Sequence, residues 1–152
     1  MSEIVPELES PRQPDVARLL EALDAYQSSL YPLESNHFLD VEALAAPSIR
    51  FFVARRGPEA LGCGALRIDG AAYGELKRMF VAPAARGTRL GRCILERIEE
   101  EARREGLAWL RLETGIHQPE ALGLYRSAGY VEREAFGEYK PDPLSVFMEK
   151  RL

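Results

Sequence analysis

The chain has little from which a metal site or a disulfide framework could be built. It holds two cysteines, Cys63 and Cys93, and two histidines, His37 and His117. Neither cysteine has a partner at zinc-like or redox-motif spacing, so two free thiols in a reducing compartment are expected, with no metal. No run approaches the roughly 18 apolar residues of a membrane span. The first ten residues carry Glu3, Glu7 and Glu9 and no apolar stretch. That pattern predicts neither a secretory signal nor a basic transit peptide, and points to the cytoplasm. A basic excess is missing too: 20 Lys and Arg stand against 24 Asp and Glu, a net charge of −4. This balance is poor for a protein that grips the nucleic-acid backbone. Internal repeats and low-complexity linkers are absent, and the prolines are scattered, so one domain over residues 1–152 is expected.

What is present is ordinary for a globular domain. Hydrophobic residues make up 46% and charged residues 29% of 152. That length can bury a core without covalent staples. A short strand is expected at residues 4–8. Pro11 and Pro14 open a helix whose stripe is Val16, Leu19, Leu20, Leu23 and Leu30, ended by Pro32. Asp40 begins a short helix that reaches Leu44 and is stopped by Pro47. Strands are expected at 49–54, 60–68 and 72–81, with Asp69-Gly70 as a hairpin signal. The period then changes: Leu90, Ile94, Ile98 and Ala102 line one helix face, closed by Gly106. Glu99–Arg103 and Glu100–Arg104 are placed on its solvated side. A strand at 108–113, a helix at 119–128 and a strand pair at 130–134 and 145–150 complete the order. Trp109, alternating with Arg111 and Glu113, reads as a packing residue. A helical crossover between residues 81 and 109 makes its two flanking strands parallel. The fold class is therefore mixed α/β (α+β), with a largely antiparallel sheet, one parallel crossover and about four helices.

The segment Val81-Ala82-Pro83-Ala84-Ala85-Arg86-Gly87-Thr88-Arg89-Leu90-Gly91-Arg92 joins a strand to a helix. Gly87 and Gly91 let backbone approach a ligand closely. The helix start offers unpaired N–H groups and the positive end of the helix dipole, and Arg86, Arg89 and Arg92 add charge. A phosphate-bearing ligand suits such a place. The segment is neither a Walker loop nor a dinucleotide fingerprint, because the glycine and lysine spacing is wrong for both. A glycine turn with solvated arginines is the plainer alternative.

This segment, read as Val-x-Pro-x-x-Arg-Gly-x-x-Leu-Gly, together with Ala121-Leu122-Gly123-Leu124-Tyr125-Arg126-Ser127-Ala128-Gly129-Tyr130, resembles the GNAT superfamily of N-acetyltransferases. The likeness covers nearly the whole chain. Arg86 and Gly91 match the family's pyrophosphate loop, and Arg89 stands where its first glycine is usual. The blocks 32–37, 62–66, 74–79, 112–115 and 145–148 are similar to one bacterial subgroup. The resemblance implies acetyl-CoA as cosubstrate and direct attack of a primary amine on the thioester. The acceptor would be a small molecule, an amino acid or a peptide. It implies that the backbone of Met79, Phe80 and Val81 holds the pantetheine arm as an added strand would. It further implies that Arg86, Gly87, Thr88, Arg89, Leu90, Gly91 and Arg92 hold the pyrophosphate, and that Gln118 occupies a cofactor-contacting position where Asn is frequent.

Transfer to an amine needs a neutral nucleophile, donors for the oxyanion and a proton for the leaving thiolate. Tyr125 matches the family's acid position, and a phenol is protonated at neutral pH; the alternative is a core aromatic on the stripe of Ala121, Leu122 and Ala128. Glu75 is the candidate base, with an ion pair to Lys77 or Arg78 as its alternative, and ordered water can replace a base altogether. Glu34, Asn36 and His37 are candidate acceptor contacts, as is Arg78, which could hold a carboxylate. Residues 32–37 could equally be a capped turn. Glu113 and Thr114, with His117, could line the cofactor channel or merely close a loop. Three other readings stay open: a catalytically silent CoA-binding module, an acyltransferase using another acyl-CoA, and a nucleotide-binding protein outside the family. Many family members dimerise, so a homodimer is also an open expectation.

Overall fold

The computed structural model describes residues 4–32, 40–68, 70 and 72–152. The helix signals act where expected. Pro14 opens α1 (Pro14–Leu30), and Tyr31 ends it in an extended conformation. Asp40 caps α2 (Val41–Leu44), its carboxylate accepting from the Ala43 N–H at 2.8 Å. The first strand, β1, is only Glu7–Leu8, shorter than expected because Pro6 brings no N–H to the ladder. Three antiparallel strands follow: β2 (Ile49–Arg56), β3 (Glu59–Ile68) and β4 (Tyr73–Val81). β2 outruns its expected end because Arg55 and Arg56 still pair with Ala60 and Glu59.

After a 3-10 turn at Pro83–Ala85 come α3 (Leu90–Arg104) and β5 (Trp109–Gly115). Then follow α4 (Pro119–Ser127), β6 (Val131–Arg133) and β7 (Ser145–Arg151). Among the described residues, seven strands form one sheet in the order β1-β2-β3-β4-β5-β7-β6. The β4–β5 pair is parallel, as the helical crossover requires.

Two cores cover the two faces of this sheet. Ile94, Leu95, Ile98 and Ala102 of α3 pack with Leu66, Leu76, Leu110, Leu112 and Met148 on one face. Val16, Leu19, Leu20 and Leu23 of α1 pack with Phe51, Val53, Cys63 and Phe80 on the other. Side chains of this kind contribute about 1.5–3 kcal/mol each when fully buried. The Gly62-Cys63-Gly64 block explains how closely α3 can sit. A Cβ at Gly62 would lie 2.9 Å from Ile94 Cδ1, and one at Gly64 would lie 2.9 Å from Ile98 Cδ1.

One expected surface is not surface. Glu99 faces inward rather than pairing with Arg103 in solvent. It accepts from Tyr130 Oη at 2.7 Å and from Lys150 Nζ at 3.1 Å. Glu101 is buried as well and pairs with Arg97. The reason is the width of the contact: α3 meets the sheet on one side and the α4–β7 region beside it, so the flank of its stripe is covered too. Glu100–Arg104 does lie on the exposed side.

Candidate active site

Two irregularities in β4 create the site. The first is a bulge. Cys63 pairs with Phe80 and Ala65 with Lys77, so Arg78 and Met79 together stand opposite Gly64. Arg78 adopts φ +55, a left-handed conformation unusual for a residue with a side chain. Its carbonyl accepts from Cys63 Sγ at 3.4 Å, and its guanidinium is ion-paired with Asp24 of α1. The second is a divergence. The parallel register with β5 runs from Tyr73–Trp109 only to Leu76–Leu112, while β4 continues to Val81 and β5 to Gly115. The strands part there, and a cleft of about 680 Å³ opens between them.

Five segments wall the cleft. β4 contributes Leu76 to Val81, and β5 contributes Leu112 to Gly115. The loop and first turn of α3 contribute Arg86, Gly87, Arg89, Leu90, Gly91 and Arg92, and α4 contributes Ala121, Leu124 and Tyr125. Leu23, Tyr26, Gln27 and Tyr31 of α1 and its end close the remaining side. One end of the cleft is thus a helix N-terminus with three arginines, a setting that favours an anion. The loop is shaped by Gly87 at φ +81 and Arg89 at φ +64. The position where the family usually has glycine is therefore a left-handed one, which explains the family preference. Arg86 Nε donates to the Val81 carbonyl at 3.3 Å, holding the loop against the end of β4.

The inner end is aromatic and acidic. Tyr125 is 5% exposed and packs edge-on to Tyr130, ring centroids 5.9 Å apart. Burial, assisted by the nearby Glu113 charge, pushes its phenol well above the ordinary value, so it keeps its proton at neutral pH. Glu113 accepts from Ser145 Oγ at 2.9 Å, and burial pushes its carboxyl up to about 7. Tyr31 braces the turn after β5: its hydroxyl accepts from the His117 N–H at 3.0 Å and donates to Gln118 Oε1 at 3.2 Å. Gly115 makes room for it, since a Cβ there would lie 1.8 Å from the Tyr31 hydroxyl.

Comparison with known proteins agrees with this geometry. Residues 47–132 match the family model described as acetyltransferase (GNAT) domain. The chain belongs to the GNAT acetyltransferase family. It is 57% identical over 145 residues to an "IAA acetyltransferase" of Azospirillum brasilense, covering 95% of each chain. A crystal structure of a Klebsiella pneumoniae protein described as an acyl-CoA N-acyltransferase superposes with a TM-score of 0.83 at 39% identity. That match covers 98% of this chain and 97% of the other. The PaiA N-acetyltransferase of Thermoplasma acidophilum, solved with coenzyme A, shares the fold at a TM-score of 0.76 and 17% identity. It covers 99% of this chain and 100% of its own.

Within this GNAT frame, most residues singled out in the sequence come together. Met79, Phe80, Val81, Arg86, Gly87, Arg89, Leu90, Gly91, Arg92, Gln118, Tyr125 and Arg78 all line the cleft. Thr88 does not; it is exposed, and its hydroxyl donates to the Ala85 carbonyl, bracing the loop from outside. Glu75 is buried but is not part of the wall. Its carboxylate accepts from Tyr139 Oη and pairs with Lys77 Nζ at 3.3 Å. Glu34, Asn36 and His37 lie outside the described residues. Among the described residues, no cluster of three or more His, Cys, Asp and Glu side chains could hold a metal ion. No helix among them is long and apolar enough to cross a membrane. Glu113 and Thr114, left between lining the channel and closing a loop, both lie on the cleft wall. The signal for Glu113 was its place as an acidic residue at the end of a strand, alternating with Trp109 and Arg111.

Proposed function

We propose that the protein transfers the acetyl group of acetyl-CoA to a primary amine of a small molecule, an amino acid or a peptide, by direct attack on the thioester. The observation that carries this reading is the continuity of the cleft, from an arginine-rich helix N-terminus to a buried, protonated tyrosine between two diverging strands. The pyrophosphate would sit at the α3 N-terminus, held by backbone N–H groups with Arg86, Arg89 and Arg92 alongside. The pantetheine arm would run along Met79, Phe80 and Val81 as an added strand, so the acetyl carbonyl arrives where β4 and β5 part. Gln118 borders the same channel near its inner end.

The chemistry follows from that placement. The amine nitrogen attacks the thioester carbon, and a backbone N–H near Phe80 would receive the oxyanion. The intermediate collapses by breaking the C–S bond, and Tyr125 donates its proton to the leaving thiolate. A carboxylate on the wall formed by β4 and β5 takes the ammonium proton. The acceptor would enter between the end of α1, β4 and the 137–143 loop, past Arg78. The name of the Azospirillum relative pairs acetyl transfer with IAA; for this chain the acceptor is proposed only as an amine. One acetyltransferase domain, working in the cytoplasm as a monomer or a homodimer, suits the two free cysteines.

The test is thiol release from acetyl-CoA across a panel of amines, amino acids and short peptides, with products weighed by mass spectrometry. Release coupled to an acetylated amine is expected. Saturable cofactor binding without release for any amine would favour a silent CoA-binding module. Release only from longer acyl-CoAs would correct the donor.

A further inference from the structure

We infer that Glu113, rather than Glu75, takes the proton from the incoming amine. This inference rests on the acetyltransferase reading above and assigns a base within that same site. Three observations converge on it. The first is position. The β4–β5 register closes at Leu76–Leu112, so Glu113 is the first β5 residue past the point where the strands part. It lies on the cleft wall with Tyr125 of α4, whereas Glu75 is one register row inside the closed part of the sheet. The acetyl carbon must sit near the parting to be reached by Tyr125, and the amine must reach it from the acceptor side. Glu113 borders that place.

The second observation is engagement. Both Glu75 partners, Tyr139 and Lys77, bond each other as well, with Lys77 Nζ 2.6 Å from Tyr139 Oη. Glu75 is thereby committed to a compact structural triad. Glu113 accepts from Ser145, which fixes one oxygen, and a carboxylate has further lone pairs to offer.

The third is environment. Burial pushes the Glu113 carboxyl up to about 7, with Glu75 and Asp142 adding to the rise and Ser145 and Lys77 opposing it. Tyr31 just past α1, Tyr125 of α4 and Tyr139 of the 134–144 loop lie within range of its charge. A base that titrates near the working pH exchanges protons in both directions.

The step balances. The Glu113 carboxylate takes one proton from the ammonium, leaving a neutral amine. The nitrogen lone pair forms the N–C bond, and the C–S pair leaves with the thiolate, which takes the Tyr125 proton. The nitrogen's second proton returns to the Tyr125 phenolate through water. Glu113 then releases its proton to solvent, so the turnover yields amide, free thiol and one proton.

The experiment compares kcat/KM against pH for the wild type, Glu113→Gln, Ser145→Ala and Glu75→Gln, using the best amine of the panel. Acetyl-CoA affinity is measured in parallel by calorimetry. In the wild type, kcat/KM rises through a limb near pH 7. Glu113→Gln lowers it by roughly 100-fold or more and removes the limb, with acetyl-CoA affinity unchanged. Ser145→Ala removes a bond that favours the charged carboxylate, so the limb moves to higher pH; a merely structural role would not shift it. Glu75→Gln keeps the limb. A limb retained in Glu113→Gln, or lost in Glu75→Gln alone, overturns the inference while the acetyltransferase reading stands. A wild type that releases no thiol with any amine overturns both.

Discussion

Arg89 shows what a single residue is asked to do. It holds φ +64 at the turn into α3, where an L side chain is strained by about 1–2 kcal/mol. Replacing it by glycine removes the strain but frees the unfolded chain, so Arg89→Gly should stay within about 1 kcal/mol of wild type. Arg89→Val, β-branched at a positive φ, should lose about 1–2 kcal/mol. Urea denaturation checks both, and a valine tolerated as well as glycine would contradict the assigned backbone strain. Tyr125 carries a different expectation. Tyr125→Phe keeps the packing against Tyr130 and removes the hydroxyl that carries the proton. It should lower kcat by roughly 100-fold while leaving acetyl-CoA affinity nearly intact. Lost affinity with normal turnover at saturation would contradict the acid role. At this scale the sequence was uneven. Tyr125 and Arg86 stood at motif positions and could be named. The roles of Glu75 and Glu113 depend on where two strands part, which neither residue's neighbours reveal.

The elements were more legible than their irregularities. The periodic stripes of α1 and α3, the Asp40 cap and the crossover from β4 to β5 follow from spacing and turn chemistry, and the parallel β4–β5 pair follows from connection rules, whereas the place of β7 between β5 and β6 does not. The bulge at Arg78 was not legible, because it is a property of register between β3 and β4 rather than of either strand. The burial of Glu99 was missed for a related reason: its partners Tyr130 and Lys150 come from distant parts of the chain. The loop and first turn of α3 act as one element, so they are tested as one. Arg86→Glu reverses a charge at the anion end of the cleft without touching Tyr125. Acetyl-CoA affinity should fall about 10-fold or more, with turnover at saturating cofactor largely kept. Calorimetry and saturation kinetics read the two quantities separately, and unchanged affinity would contradict an anion site at the helix start.

For the whole molecule, the half-buried carboxyl of Glu113 ties stability to pH. Its ordinary value is near 4.5, and burial raises it to about 7 in the folded protein. Between those values the folded state holds a proton that the unfolded state has released. The associated stability is full below about 4.5, is lost as pH rises towards 7, and stays lost above it. Wild-type stability should therefore fall by up to about 3 kcal/mol between pH 5 and 8 from this group, and Glu113→Gln should flatten the decline. On the acid side the sign reverses. The carboxyl of Asp15 is held below its usual range by the Arg55 hydrogen bond, and that of Glu9 is lowered by Arg55 and Gln13 although burial opposes it. Their contribution is present above their ordinary values and disappears as pH falls through the depressed ones. Urea midpoints across pH measure both limbs, and an identical slope in Glu113→Gln would contradict the assignment.

The sheet parts β4 from β5 over an arginine-bearing helix start, and we propose that this opening receives acetyl-CoA. The direct measurement is calorimetric titration of the protein with acetyl-CoA, with CoA and ATP as controls. Saturable binding of acetyl-CoA and CoA at one site per chain, with none for ATP, is the expected result. No heat of binding from either acetyl-CoA or CoA would leave the fold in place and contradict the function assigned to it.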